Sequence, residues 1–318
     1  DLGQMQPMQD GSGYGPQTRG RGLGPAAAMA KGAVAYVMRS VGSDYDRLPH
    51  TGTTRYVNGE PTIPSFALAA ADADQLSRLV GMDDEPIRLR LSSSARTYET
   101  TSQNVIGDIV GDERPEEIIV LGSHLDSWDQ GTGAIDDAAG GAITLAAALE
   151  LVEGGRRPAR TVRVILYGSE EVAQPTAQTG DGGGVYVRGI GEAAVTNHII
   201  AGESDFGADR IYALRLPAGA QGSAFQTAAT QVLYPIGVLA SGVPETSGGA
   251  DVGPLAEAGV PVFRLAQDGT RYFDLHHTAN DTLDKIDPEQ LSQNVAAWAA
   301  LIWLIADSEV TFRQTATE

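Results

Sequence analysis

The sequence predicts an α/β fold, a mostly parallel sheet flanked by helices, with a smaller α/β unit ahead of it. Three observations carry that prediction. From about residue 97 onward, β-branched apolar runs alternate with longer helical segments, the rhythm of a parallel sheet covered by helices. Several of those runs stop at Gly or Ser and lead straight into His, Asp or Glu. The chain then closes on DPEQLSQNVAAWAALIWLIADS, a long helix with Asp287 placed to cap it and Pro288 at its first position.

The elements follow in order. Residues 1–25 are rich in Gly, Gln and Pro and are expected to be loop. PAAAMAKG suggests a short helix closed by Gly32, and AVAYVMRSV a strand. YVNGEPTIPSFAL holds an Asn-Gly turn that leads into another strand. DADQLSRLVG suggests a helix, and the alternating PIRLRLSSSART a further strand. His50, in PHTG, is expected to be structural or exposed. Beyond residue 97, NVIGDIVG, EEIIVLGS, TVRVILYGS, NHIIAGES and VPVFRLAQ are the predicted strands, with GGAITLAAALELVEGG a helix ended by Gly. TGDGGGVYVRGIG, residues 179–191, lacks the strand-then-helix setting of a nucleotide-binding loop and is expected to be a flexible loop. There is no internal repeat.

Composition narrows the chemistry. The 41 acidic against 22 basic residues give a formal charge of -19, which argues against a nucleic-acid partner. With no cysteine, neither disulfides nor thiolate metal sites are available, so any metal is held by His, Asp or Glu. No run reaches the roughly 18 apolar residues of a membrane span. The chain begins at Asp1 with no signal peptide in view.

The strand ends hold the informative pattern. EEIIVLGS runs into HLDSWDQGTGAIDDAAG, which delivers His124 and Asp126, then Asp136 and Asp137. TVRVILYGS runs into Glu170 and Glu171, NHIIAGES into Asp205, and VPVFRLAQ is followed by DGTRYFDLHHTANDT with His276 and His277. Four predicted parallel strands thus gather carboxylates and imidazoles at one sheet edge, where such folds bind ligands. Crowding so many acids costs several kcal/mol unless cations neutralise them. Two histidines and three carboxylates, one bridging, suit a pair of zinc ions about 3.5–4 Å apart. The imidazoles favour a transition metal over Mg²⁺ or Ca²⁺. Adjacent Glu170 and Glu171 point opposite ways if extended, so one can bind metal while the other serves as a base.

HLDS, GAIDDAAG, GSEE, ESDFG and HHTANDT resemble, in order and spacing, the motifs of the M28 family of co-catalytic zinc peptidases. SGGADVGPL and YFDLHHTANDT are similar to segments of its carboxypeptidase Q-like (plasma glutamate carboxypeptidase-like) branch. The resemblance implies a zinc exopeptidase fold of the phosphorylase/hydrolase-like kind over residues 97–318, lacking its N-terminal segment. Residues 1–96, with QDGSGYG, MRSVGS and PHTG, would be an inserted protease-associated domain, incomplete at its start. Two Zn²⁺ would be held by His124, Asp136 as the bridge, Glu171, Asp205 and His277. Glu170 would be the general base, and Asp126 would fix the His124 ring. His276 would stand beside the metals or at an oxyanion. Arg271 and Arg264 are candidates for a substrate carboxylate. The implied activity is hydrolysis of dipeptides or short peptides by a secreted or periplasmic enzyme, with a homodimer left open. An aminopeptidase of the same fold and a non-catalytic binding module are the alternatives.

Overall fold

The computed structural model describes residues 5–55, 57–58, 62–82, 85–96, 98–172 and 181–313. In chain order the elements are α1 (Tyr14–Met29), β1 (Tyr36–Arg39), β2 (Ser65–Leu68), α2 (Ala70–Val80), β3 (Val105–Ile109), β4 (Arg114–His124), α3 (Ala139–Glu153), β5 (Arg160–Tyr167), α4 (Gly182–Val195), β6 (His198–Glu203), β7 (Ile211–Arg215), α5 (Ala224–Leu233), β8 (Leu239–Ala240), α6 (Gly253–Glu257), β9 (Val262–Gln267), α7 (Tyr272–Leu275) and α8 (Pro288–Asp307).

Seven strands form one mixed sheet in the order β3-β5-β4-β6-β9-β7-β8. Its middle, β5-β4-β6-β9, is parallel throughout, as the strand-end pattern requires. β3 and β7 run antiparallel to β5 and β9. Ile119, Val120 and Leu121 of β4 are wholly buried, because both sheet faces are covered. On one face α3 and α8 pack Ile143, Ala147 and Leu151 against Trp298, Leu301 and Ile305. On the other, Tyr186 and Val195 of α4 meet Leu255 of α6. Asp287 caps α8 through the amides of Glu289 and Gln290, as expected. Among the described residues no helix is long and apolar enough to cross a membrane.

Ahead of this sheet, β1 and β2 pair in parallel as a separate two-stranded sheet. Met5 and Val41 from this region pack against Ile135, Tyr272 and Phe273, which anchors the region beside the strand ends.

Three expectations are corrected. Residues 14–25, expected to be loop, belong to α1, where the glycines admit a neighbour. A Cβ on Gly24 would lie 2.3 Å from the Tyr36 hydroxyl, and that hydroxyl donates to the Gly20 carbonyl. PIRLRLSSSART is no strand where described (residues 86–96). It has alternation but no partner among the described residues, and Ile87 and Leu89 are exposed. The glycine-rich stretch divides. Residues 179–180 lie outside the described residues, and the rest opens α4. Asp181 caps that helix through the Gly184 amide, and Gly183 lies so close to the Asp251 carbonyl that a Cβ would sit 2.0 Å from its oxygen. Close packing, not loop flexibility, explains Gly182, Gly183 and Gly184.

Candidate metal centre and catalytic cavity

Each parallel strand hands its last residues to one place. β4 ends at His124 itself, and β6 leads through Ser204 to Asp205. After β5, Ser169 takes a left-handed conformation (φ 67°) that turns Glu170 and Glu171 together towards the centre. The sequence suggested that these two glutamates diverge, yet both border the same cavity. α7 follows β9 and is followed by His276 and His277, the latter also left-handed at φ 58°.

Asp136 stands in the middle. Its Oδ1 is 3.1 Å from His124 Nε2, and its Oδ2 is 3.2 Å from His277 Nε2. His124 Nε2 also has Asp205 Oδ1 at 3.4 Å, and His277 Nε2 has Glu171 Oε2 at 3.0 Å. The far nitrogens settle both tautomers. His124 Nδ1 faces the Asp126 carbonyl at 2.9 Å, and His277 Nδ1 faces the Thr51 carbonyl at 3.2 Å. A carbonyl only accepts, so Nδ1 carries a proton in each ring and Nε2 is the atom that would bind a ligand once its own proton has left.

The surrounding contacts refine the sequence reading. The Asp126 carboxylate is 3.9 Å from His124 Nδ1, so its backbone rather than its side chain holds the ring. That carboxylate instead accepts the amides of Glu170 and Glu171, both at 3.0 Å, and so shapes the turn that presents them. Arg271 forms a two-pronged ion pair with Asp209 and donates to the Lys285 carbonyl, and it is not among the residues that line the cavity. Arg264 lines a small pocket next door.

Other contributors lie within the quoted motifs or on α1, but nothing in the sequence told their contacts. Trp128 Nε1 donates to Glu171 Oε2 at 2.6 Å. Buried Asp137 accepts the His124 amide, and Asp281 accepts the Ile135 amide. From α1, Tyr14 and Arg21 form part of the cavity wall together with His276. His50 is structural, as expected. Its Nδ1 donates to the Phe273 carbonyl and its Nε2 accepts from Tyr14, so its proximity to His276 and His277 leaves no free nitrogen for a metal.

Electrostatics shows the strain of assembling these groups. Burial, reinforced by the charge of Asp205, pushes Glu170 up to about 8. Burial likewise raises Glu171 to about 7 and raises Asp205. Burial alone would depress His277, but hydrogen bonds to Asp136 and Glu171 outweigh it and hold the ring at about 9. Burial and the neighbouring imidazoles keep His276 well below the usual range, so it is neutral.

The residues fit a metal pair. His124, Asp136 and Glu171, and separately His124, Asp137 and Asp205, bring ligand atoms within 4.8 Å of one another. Zinc bonds of about 2.0–2.2 Å in tetrahedral geometry imply ligand–ligand edges of about 3.3–3.6 Å, close to the contacts around Asp136. Buried Glu171 Oε1 and Asp205 Oδ1 have no hydrogen-bond partner. Those are the atoms a cation would satisfy.

Comparison with known proteins agrees with this architecture. Residues 104–302 match peptidase family M28. Carboxypeptidase Q of Mus musculus is 34% identical over 300 residues, which cover 94% of this chain and 62% of that protein. Carboxypeptidase Q of Homo sapiens is 32% identical, with 93% and 61% covered. The chain therefore spans about three fifths of the length of these curated relatives. The crystal structure of a peptidase M28 precursor from Shewanella amazonensis is 42% identical with a TM-score of 0.87, covering 99% of this chain and 70% of that one. A zinc aminopeptidase from Bacillus subtilis shares the fold at 17% identity and a TM-score of 0.59, covering 91% and 69%.

Proposed function

The chain belongs to peptidase family M28, and from that premise we propose that it is a co-catalytic di-zinc exopeptidase acting on dipeptides or short peptides. One observation carries the reading: the two oxygens of buried Asp136 face two different histidines, each with its Nδ1 tied to a backbone carbonyl. In this reading His124, Asp136 and Asp205 would hold one zinc, and Asp136, Glu171 and His277 would hold the other.

Bound zinc would supply Lewis acidity, polarising the scissile carbonyl and lowering the pKa of a water towards neutrality. Glu170, buried beside the ligands and not among them, would take the proton of the attacking water on its carboxylate and return it to the departing amine. Asp126 holds the backbone of both glutamates, so the base and the neighbouring ligand keep a fixed relation. His276 stays neutral, and its ring can donate to developing negative charge on the substrate oxygen. A cavity of about 330 Å³, with α1 on one side, favours short peptides over folded proteins. The α1–α2 region would correspond to an inserted protease-associated domain, and the enzyme would act outside the cytoplasm.

Elemental analysis of protein reconstituted with zinc tests the metal count, with about two ions per chain expected. A free dipeptide, its C-terminal amide and its N-acetyl form test the polarity. Loss of cleavage on amidation marks a carboxylate-reading enzyme, and loss on acetylation marks an aminopeptidase. Equal cleavage of all three would remove the exopeptidase reading.

A further inference from the structure

His277 takes the left-handed conformation at φ 58°, a strained state for a residue with a Cβ that persists only where neighbours hold it. Its neighbours come from the far end of the chain. The Thr51 amide donates to the His277 carbonyl at 3.1 Å, and the His277 Nδ1–H donates to the Thr51 carbonyl at 3.2 Å. Thr51 thus grips both the backbone and the ring of His277, as residues do in one rung of an antiparallel ladder. Its hydroxyl also donates to Gln130 Oε1 at 3.1 Å, on the loop that follows β4. His124 is held differently, within its own loop, by the carbonyl of Asp126 two residues on.

Helix α1 braces Thr51. Arg21 Nη1 donates to the same Thr51 carbonyl at 3.1 Å and to the Tyr14 hydroxyl at 2.8 Å. A carbonyl oxygen accepts twice, so Arg21 and His277 together saturate it. The Tyr14 hydroxyl donates to His50 Nε2, and His50 Nδ1 donates to the Phe273 carbonyl in α7. The Tyr14 ring stacks on Phe273 with centroids 4.0 Å apart. Gly52 completes the brace. A Cβ there would lie 2.2 Å from both Cζ and Nη1 of Arg21, so only glycine lets the guanidinium rest against this segment.

We propose that residues 50–52, braced by Arg21, form a strap from the N-terminal unit that holds His277 in the geometry of a metal ligand. Arg21 and Thr51 are then positioning residues for one metal site of the pair, that of Glu171 and His277, and not for the site of His124 and Asp205. The metal in this statement rests on the di-zinc reading above. The strap itself stands on the reciprocal Thr51–His277 pair, the shared carbonyl and the close approach at Gly52.

The experiment measures the two zinc affinities by competition with a chelator, without substrate, in wild type, Arg21→Met, Arg21→Lys and Gly52→Ala. Arg21→Met and Gly52→Ala are expected to weaken one site about 10- to 100-fold, the usual cost of losing a group that orients a metal-bound imidazole. The other site is expected to keep its affinity. Arg21→Lys can still donate to the carbonyl and is expected to recover part of the loss. In a His277→Ala background, Arg21→Met is expected to have no further effect. A second readout needs no metal. In ¹H–¹⁵N spectra of zinc-free protein the His277 Nδ1–H, identified by its loss in His277→Ala, is expected to exchange faster in Arg21→Met and Gly52→Ala. Thermal melts confirm that the variants fold. Faster exchange in both variants, with no zinc bound by wild type, keeps the strap and removes the di-zinc reading. Two zinc sites in wild type, with affinities and Nδ1–H exchange untouched in both variants, overturn the strap and leave the di-zinc reading standing. Equal weakening of both sites, or a loss that persists in the His277→Ala background, overturns it too, because Arg21 then acts on the fold at large.

Discussion

Glu170 and Glu171 are adjacent, border one cavity and share one anchor in Asp126, yet their partners differ. Glu171 Oε2 faces His277 and Trp128, whereas Glu170 is defined by burial and by the charges around it. Exchanging each for its amide therefore separates their roles. Glu170→Gln should retain zinc while losing about 10²–10⁴-fold in turnover, because an amide of the same shape cannot take the proton. Glu171→Gln should lose zinc affinity first. Metal content and turnover of the two variants check this, and normal values of both in both variants would refute the division of labour. The same scale shows why arginines were hard to assign. Arg271 and Arg264 both precede the histidine pair along the chain, but Asp209 holds one and a pocket opens onto the other. Arg21 carries no motif at all, since what brings it to the cavity is the docking of α1.

Helix α4 shows an element whose local preference misleads. GGGVYVRGIG has the composition of a loop, because each glycine costs a helix interior about 0.8–1 kcal/mol relative to alanine. By that measure Gly183→Ala should stabilise the protein. The structure requires the opposite, since the new Cβ would meet the backbone oxygen of Asp251 at 2.0 Å, and a backbone atom cannot swing aside. A destabilisation of about 1–3 kcal/mol is expected from overpacking at this contact. Chemical denaturation provides the check. A stability equal to or above that of wild type would mean that the α4–Asp251 contact is not tight in solution. α1 follows the same logic, with Gly24 making room for Tyr36, whereas β4 and α8 were legible because burial on both faces and a capped amphipathic pattern agree with their local preferences.

The whole molecule answers to pH through its strand-end cluster. In the metal-free protein Glu170 and Glu171 sit near 8 and 7, above their ordinary 4.5, with burial the main cause. The folded state therefore keeps protons that the unfolded chain has released, and stability falls as pH rises from about 4.5 to 8. His277, held near 9 against an ordinary 6.5, acts in the same direction between those values. The melting temperature of chelator-treated protein should thus decline from pH 5 to pH 9. Zinc replaces those protons, so the stabilisation it confers should grow over the same range. Melts across this range with and without zinc measure both trends. A metal-free melting temperature that is flat or rises with pH would contradict the assignment.

What the sequence determined by itself was the elements whose burial and local preference agree, and the pattern repeated along one sheet edge. The buried strands, the capped final helix and the gathering of carboxylates and imidazoles at parallel strand ends follow from apolar runs that stop where polar groups begin, and the family resemblance singled out His124, Asp136, Glu171, Asp205 and His277 among them. Parallel strands must point the same way, so residues that follow them must meet. The tertiary structure alone decided which atoms face which: the two-sided placement of Asp136, and the backbone carbonyls of Asp126 and Thr51 on the imidazoles. Those contacts join residues far apart in the chain, or main-chain atoms that every residue type shares, and neither kind leaves a pattern in the order of side chains.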